Sequence, residues 1–325
     1  MKFSVGYQCT PLPFIEEILC RKDQISEVYF SWADYPNGRG SQLRQKGLSP
    51  KEAQARQMED LGRLSAGGIR LNLLFNAMCY GKDSQSRAFF EGIGDTVDTL
   101  SAAYGLASVT TTSPLIARFI KENFPHLEVR ASVNLSIGTV EGMDYVKDVF
   151  DSFYAARELN RDLAALRVLK VWCDAHGKKL YGLANSGCLN HCSAHVFHDN
   201  LVAHEQEIAL EDNGYAFEGV CRAHLRENPR AILERSSFIR PEDTSLYEGV
   251  FESLKLATRV SPMPIRILKA YLDGAYRGCV TDLLEPNHSA LFYPRLLENS
   301  LLEARVNDEK LIYENLEKAM IILED

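Results

Sequence analysis

The sequence predicts an α/β protein built as a (β/α)8 barrel of the TIM type. Short β-rich runs alternate with longer amphipathic runs, the pattern of parallel βα units, and eight such β-rich runs occur. Candidate strands cover Phe3–Tyr7, Glu27–Trp32, Ile69–Phe75, Ala107–Thr111, Val129–Ile137, Phe150–Ala156, Leu180–Ala184 and Ser253–Leu256. Helical patterns between them cover Pro13–Leu19, Pro50–Leu64, Thr96–Tyr104, Pro114–Asn123 and Asp162–His176, with Pro264–Tyr276 as the eighth helix. Ser49-Pro50 and Ser113-Pro114 read as an N-cap followed by a first-turn proline, and Gly67-Gly68, Gly105 and Gly177 fall where those helices should stop. A long insertion over about 185–237 follows the seventh strand, and a tail over about 295–325 reads as helical from Asn307 onward. The whole span 1–325 is expected to be one barrel domain. A doubly wound open sheet is the competing arrangement for the same alternation.

Two strands favour the barrel. In Val129–Ser136 and in Ile69–Leu73, odd positions are apolar and even positions polar. Strands covered on both faces normally read as continuous apolar runs. In a barrel the polar face would point into the lumen, so Arg70, Asn72, Arg130, Ser132 and Asn134 are expected to face inward. A polar lumen is costly unless its groups pair or meet a ligand. Arg70 and Arg130 are therefore expected to bind a small anion.

Hydrophobic residues make up 46% and charged residues 25% of the chain, which excludes disordered, collagen-like and coiled-coil classes. No apolar run approaches the roughly 20 residues that cross a bilayer, and the first residues, broken by Pro11 and Pro13, do not read as a signal peptide. The expected location is the cytoplasm. With 36 Lys+Arg against 44 Asp+Glu the formal net charge is −8, which disfavours nucleic acid as a partner without excluding a local basic groove. The eight cysteines are too sparse for a disulfide scaffold and fit metal or redox chemistry in a reducing compartment.

The densest chemistry is the segment from Leu183 to His198, which holds Cys188, Cys192, His191, His195 and His198 just after the seventh strand. That is the rim where βα loops build active sites, and a loop this long is uncommon unless it carries function. Cys221 lies in the same insertion. Zinc would take Cys188, Cys192 and one or two of His195 and His198. An iron–sulfur cluster would prefer thiolates, adding Cys221 and a fourth cysteine. Cys173 sits in a helical pattern and reads as core, and Cys9 and Cys20 read as small apolar residues. Arg157-Glu158 could place only one of its two side chains in the lumen, because neighbours on a strand face opposite sides.

The strand order, Arg157-Glu158-Leu159-Asn160, the cysteine loop opened by Leu180–Cys188, and Ser253-Leu254-Lys255-Leu256-Ala257-Thr258-Arg259 together resemble the collagenase-like U32 peptidase superfamily. The small UbiU/UbiV-like iron–sulfur members are the most similar in length. The last segment is similar to that family's Ser-Leu-Lys-Ile-Glu-Gly-Arg signature. The resemblance implies a TIM barrel carrying a [4Fe–4S] cluster and oxygen-independent hydroxylation, with prephenate as oxygen donor in several relatives. By this resemblance Cys188 and Cys192 take the places of the first cysteine pair, at a shorter spacing, and Cys221 the third. No cysteine stands near Ile239–Asp243, so Cys279 is the expected fourth ligand, with Cys79 or an open iron as alternatives.

The expected function is thus an iron–sulfur, oxidoreductase-type barrel whose Arg70, Asn72, Arg130, Asn134, Arg157, Glu158 and Arg259 line a site for a small dicarboxylate. No catalytic residue is assigned. A zinc peptidase or hydrolase using Cys188, Cys192, His195 and His198 with Glu158 as base is the alternative, although H-E-x-x-H and G-x-S-x-G are absent. A non-catalytic iron–sulfur subunit acting with a related partner, or as a homo-oligomer, is the third reading.

Overall fold

The computed structural model describes residues 1–10, 13–32, 35–39 and 48–322. Eight parallel strands close into a barrel in chain order: β1 (Phe3–Gly6), β2 (Ile25–Phe30), β3 (Leu71–Phe75), β4 (Leu106–Thr111), β5 (Glu128–Ala131), β6 (Ser152–Tyr154), β7 (Lys179–Leu183) and β8 (Leu254–Leu256). β8 pairs with β1 through Phe3–Leu254 and Val5–Leu256, which closes the ring. An open doubly wound sheet is excluded by that pairing. Each expected strand has a counterpart, with ends shifted by a few residues.

Helices α1 (Phe14–Cys20), α2 (Pro50–Ala66), α3 (Arg87–Tyr104), α4 (Pro114–Asn123), α5 (Val140–Asp144) and α6 (Leu163–Ala175) separate the first seven strands. The sequence's capping signals act as written. Ser49 accepts from the Glu52 backbone N–H at 3.3 Å while the Glu52 carboxylate accepts from the Ser49 backbone N–H at 2.8 Å. Ser113 accepts from the Ile116 N–H at 3.3 Å. Gly105 ends α3 at φ 68°, a conformation that favours glycine. The pattern over Thr96–Tyr104 is only the C-terminal half of α3, which Ser86 caps through the Phe89 N–H.

Two expectations are corrected. The strand drawn over Val129–Ile137 stops at Ala131, and Val133–Leu135 forms a 3-10 turn that the Ser132 hydroxyl caps. Asn134 therefore sits above the barrel, not inside a strand. The tail is not helical but largely β: β9 (Arg295–Leu297), β10 (Glu303–Asn307), β11 (Lys310–Glu314) and β12 (Met320–Ile322) form two small antiparallel pairs. Asp308 and Glu309 adopt positive φ and join β10 to β11 as a tight hairpin. Leu311 and Tyr313 are buried while their neighbours are exposed, so the period is two. Residues 323–325 of the tail lie outside the described residues.

The insertion after β7 folds into short helices α7 (His195–Ala203), α8 (Glu205–Ile208), α9 (Val220–Glu227) and α10 (Ala231–Glu234), and α11 (Pro264–Asp273) follows β8. The main core lies between the barrel and its helices, drawing on residues such as Val5, Leu73, Val109, Phe153 and Ile267. Among the described residues no helix is long and apolar enough to cross a membrane.

Candidate functional site

The lumen is polar, as the alternation of β3 and β5 predicts, but its charges are already matched. Arg130 is fully buried and holds Glu27 through both terminal nitrogens, at 2.6 and 3.2 Å, and Glu128 at 2.8 Å. Its guanidinium also lies 3.8 Å from the centre of the Tyr181 ring. Ser4 and Asn72 donate to Glu27 at 2.8 and 3.1 Å, and Thr110 donates to Asn72 at 3.0 Å. Burial works against ionising Glu27 and Glu128, yet the neighbouring Arg130 outweighs it and holds both carboxyls low, Glu128 at about 2. The network spans strands from β1 to β7 and leaves Arg130 no free donor face.

The anion role expected of Arg130 and Asn72 is therefore filled by the protein's own acids. Arg70 is not in the lumen: its side chain is 52% exposed, 3.6 Å from Glu128, at a cleft on the N-terminal end of the barrel. It precedes β3 rather than belonging to it, so the strand alternation does not fix where it points. Glu27 was legible only as an acid inside an apolar strand and was not singled out.

The opposite, C-terminal mouth holds the chemistry. Loop 185–190 is pinned there from both sides. The Asn185 side chain donates to the carbonyls of Ala257 and Leu283 at 3.0 and 2.8 Å and accepts from the Ala257 N–H at 2.6 Å. The Gly187 N–H donates to Glu285 O at 3.0 Å, and a Cβ at Gly187 would lie 2.3 Å from Pro286 O, so only glycine fits. Asn190 N–H donates to Arg235 O at 2.7 Å. Cys192 follows, one turn before α7, and Cys221 sits in the first turn of α9.

Cys188, Cys192 and Cys221 line one cavity of about 200 Å³, together with His195, His198, Asp199, Arg39 and Glu285. Burial first, then the neighbouring Cys188 and Cys192, pushes the Cys221 thiol up. Burial likewise lowers His198. Burial opposes the ionisation of Asp199, but His195 and Arg157 keep its carboxyl below the usual range. His195 Nε2 lies 3.0 Å from Asp199, though not aligned as a hydrogen bond. Arg39 donates to Glu285 at 2.6 Å.

Cys279 is not brought to this cavity. It is buried in the core, its sulfur 3.1 Å from the Thr281 hydroxyl and accepting from the Leu297 N–H. β9 and the residue after it lie against it, through Leu297 and Glu298. Cys79 also stands apart, beside His204, whose hydrogen bond lowers its thiol pKa. Among the described residues no three His, Cys, Asp or Glu groups converge on a single-ion site.

A second, smaller cavity of about 30 Å³ lies at the barrel mouth. It is lined by Lys255, Arg259, Arg157, Asn134, Arg39 and Glu285 among others, so the Arg39–Glu285 pair borders both cavities. Arg157 donates to Asn134 at 2.8 Å and lies 3.7 Å from Asp199. Glu158 turns away to a different cleft beside His191 and Lys310, so only Arg157 of that pair faces the mouth. Arg259 donates to the neutral amide of Asn37 at 3.1 Å. Arg39 and Lys255 were missed as site residues; the signal for Lys255 was a lysine in the middle of an apolar strand.

No protein-family model matches the chain. A protein of Methanocaldococcus jannaschii described as an uncharacterized protease is 27% identical over 250 residues, covering 73% of this chain and 70% of its own. A solved U32 peptidase structure superposes with a TM-score of 0.55 at 12% identity, covering 78% of this chain and 91% of that one. That similarity at 12% identity speaks for the barrel itself, and the protease description stays with the archaeal relative.

Proposed function

We propose that this U32-type barrel is an iron–sulfur protein in which Cys188, Cys192 and Cys221 hold a [4Fe–4S] cluster at the C-terminal mouth. The supporting observation is that three cysteines from two separate segments line one cavity adjoining a cation-rich pocket. The donor set fits the group. Each iron of a cluster takes its own ligand, so the thiolates need not converge on one point as they must around zinc. With Cys279 and Cys79 elsewhere, the fourth position is open to a non-cysteine ligand or to substrate. When bound, the cluster would supply electron transfer or an open iron for oxygen-independent hydroxylation or a related redox modification.

The chain's own residues do the rest. Arg259 and Arg157 hold a small anion of the prephenate kind at the mouth, through the paired donors a carboxylate accepts. The Arg39–Glu285 pair forms the wall between that anion and the cysteine cavity. Asp199 holds Arg157 and His195 in place. The proposal sets this chemistry in the reducing cytoplasm, alone or beside a related subunit. The hydrolase alternative is weaker, because Glu158, its intended base, faces a different cleft.

Anaerobic purification followed by iron and sulfide quantitation tests the reading. The wild-type chain is expected to be brown and to contain both. Serine at Cys188, Cys192 or Cys221 should strip most of the iron, whereas Cys279→Ser and Cys79→Ser should keep it. Stoichiometric zinc without sulfide, or full iron in two of the first three variants, would overturn the proposal.

A further inference from the structure

Lys255 stands in the middle of β8 with its side chain in the lumen, 6% exposed. Its nitrogen lies 3.9 Å from the centre of the Tyr29 ring and 5.2 Å from that of Tyr154. Glu27, an acid close enough to influence it, is held by both terminal nitrogens of Arg130. Among the described residues no carboxylate lies within ion-pair distance of Lys255 or of Arg259, although Glu285 and Glu205 are near enough for their charges to favour the Arg259 cation. A buried amine without an acid partner serves no evident packing purpose that a leucine would not serve better.

Lys255, Ala257 and Arg259 follow the period of two along the strand end and line the same small cavity. Lys255 bears an amine and Arg259 a guanidinium four residues further up the mouth, and the one carboxylate among the described residues lining this cavity, Glu285, is paired with Arg39. An amine beside a guanidinium that no carboxylate among the described residues hydrogen-bonds is complementary to a molecule carrying a carbonyl next to a carboxylate. We propose that Lys255 captures a small α-oxo acid as an imine, while Arg259 holds its carboxylate. The inference rests on the reading of the barrel mouth as an anion site and does not depend on the cluster.

The chemistry is balanced within these two partners. The neutral amine's lone pair adds to the carbonyl carbon; a C–N bond forms as the carbonyl π bond opens, and a proton passes from nitrogen to oxygen. Loss of that oxygen as water, with the second amine proton, leaves a C=N bond. No electrons are exchanged. The environment supports a neutral nucleophile: burial first, then the charge of Arg259, pushes Lys255 well below the ordinary lysine range. Glu27 acts in the opposite direction and Arg130 and Arg39 in the same one. Glyoxylate and pyruvate are the simplest acids of this class.

The test incubates the purified full chain with pyruvate or glyoxylate and cyanoborohydride, which reduces an imine to a stable secondary amine. Intact mass should rise by one oxo acid less one oxygen atom, and peptide mapping should place the adduct on Lys255. Lys255→Met should lose it, and acetate should compete through Arg259. Because mapping is done on the wild-type chain, the answer does not depend on how the variant folds. Labelling spread over surface lysines, unchanged in Lys255→Met, would overturn the proposal. Thermal stabilisation by acetate and pyruvate alike, with no adduct on Lys255, would overturn the imine and leave the anion site standing. Neither stabilisation nor adduct would sink both.

Discussion

Arg130 shows how a correct orientation can carry the wrong role. Its place in the alternation of β5 puts it in the lumen, where an isolated guanidinium would demand an anion. Glu27 answers that demand from 103 positions away in the chain, a distance no local pattern reports. Removing the cation therefore leaves a buried carboxylate unpaired, and breaking a buried pair on one side costs roughly 3–5 kcal/mol. Arg130→Met is expected to unfold at markedly lower urea concentration than wild type, and adding Glu27→Gln should recover much of the loss. A single variant as stable as wild type would restore the view that Arg130 waits for a ligand.

Capping and stop signals placed α2, α3 and α4 because they act within one turn of the residues that carry them. The tail carries no such signal. Its apolar residues can be read as one face of a helix, and Lys310–Glu314 is too short for its period of two to stand out against that pattern. The hairpin turn at Asp308 and Glu309 has neither the Asn-Gly nor the Asp-Gly signal. If β11 packs as described, Leu311→Ala should cost roughly 2–5 kcal/mol, while Ile312→Ala on its exposed face should stay within about 0.5 kcal/mol. Adding Tyr313→Ala, which should cost as much as Leu311→Ala, separates strand from helix by chemical denaturation, since residues 311 and 313 would stand about 200° apart on a helix and could not both be buried. The same tail packs on Cys279, whose sulfur accepts from the Leu297 N–H.

Across the whole barrel, the lumen network ties folding to pH. The Glu128 carboxyl is held at about 2 in the folded chain, below the roughly 4.3 of an unperturbed glutamate. A depressed folded value means the contribution is complete above the unfolded value and is lost as pH falls towards the folded one. Urea unfolding of wild type should therefore weaken between about pH 5 and pH 2, with Glu128 supplying on the order of 3 kcal/mol of the loss. Glu128→Gln should flatten that dependence; an unchanged slope would show that the carboxylate titrates normally. The sequence by itself determined the eight-fold βα order, the polar lumen and the cysteine loop on the C-terminal rim, because periodicity, caps and loop length are local. Only the tertiary structure decided that Arg130 is neutralised from within, that Arg70 lies at the far end, that Cys279 is core, and that Lys255 and Arg259 share a pocket whose acid, Glu285, is paired with Arg39. Those outcomes depend on which distant side chains meet when the ring closes, and burial makes each such meeting cost or contribute several kcal/mol.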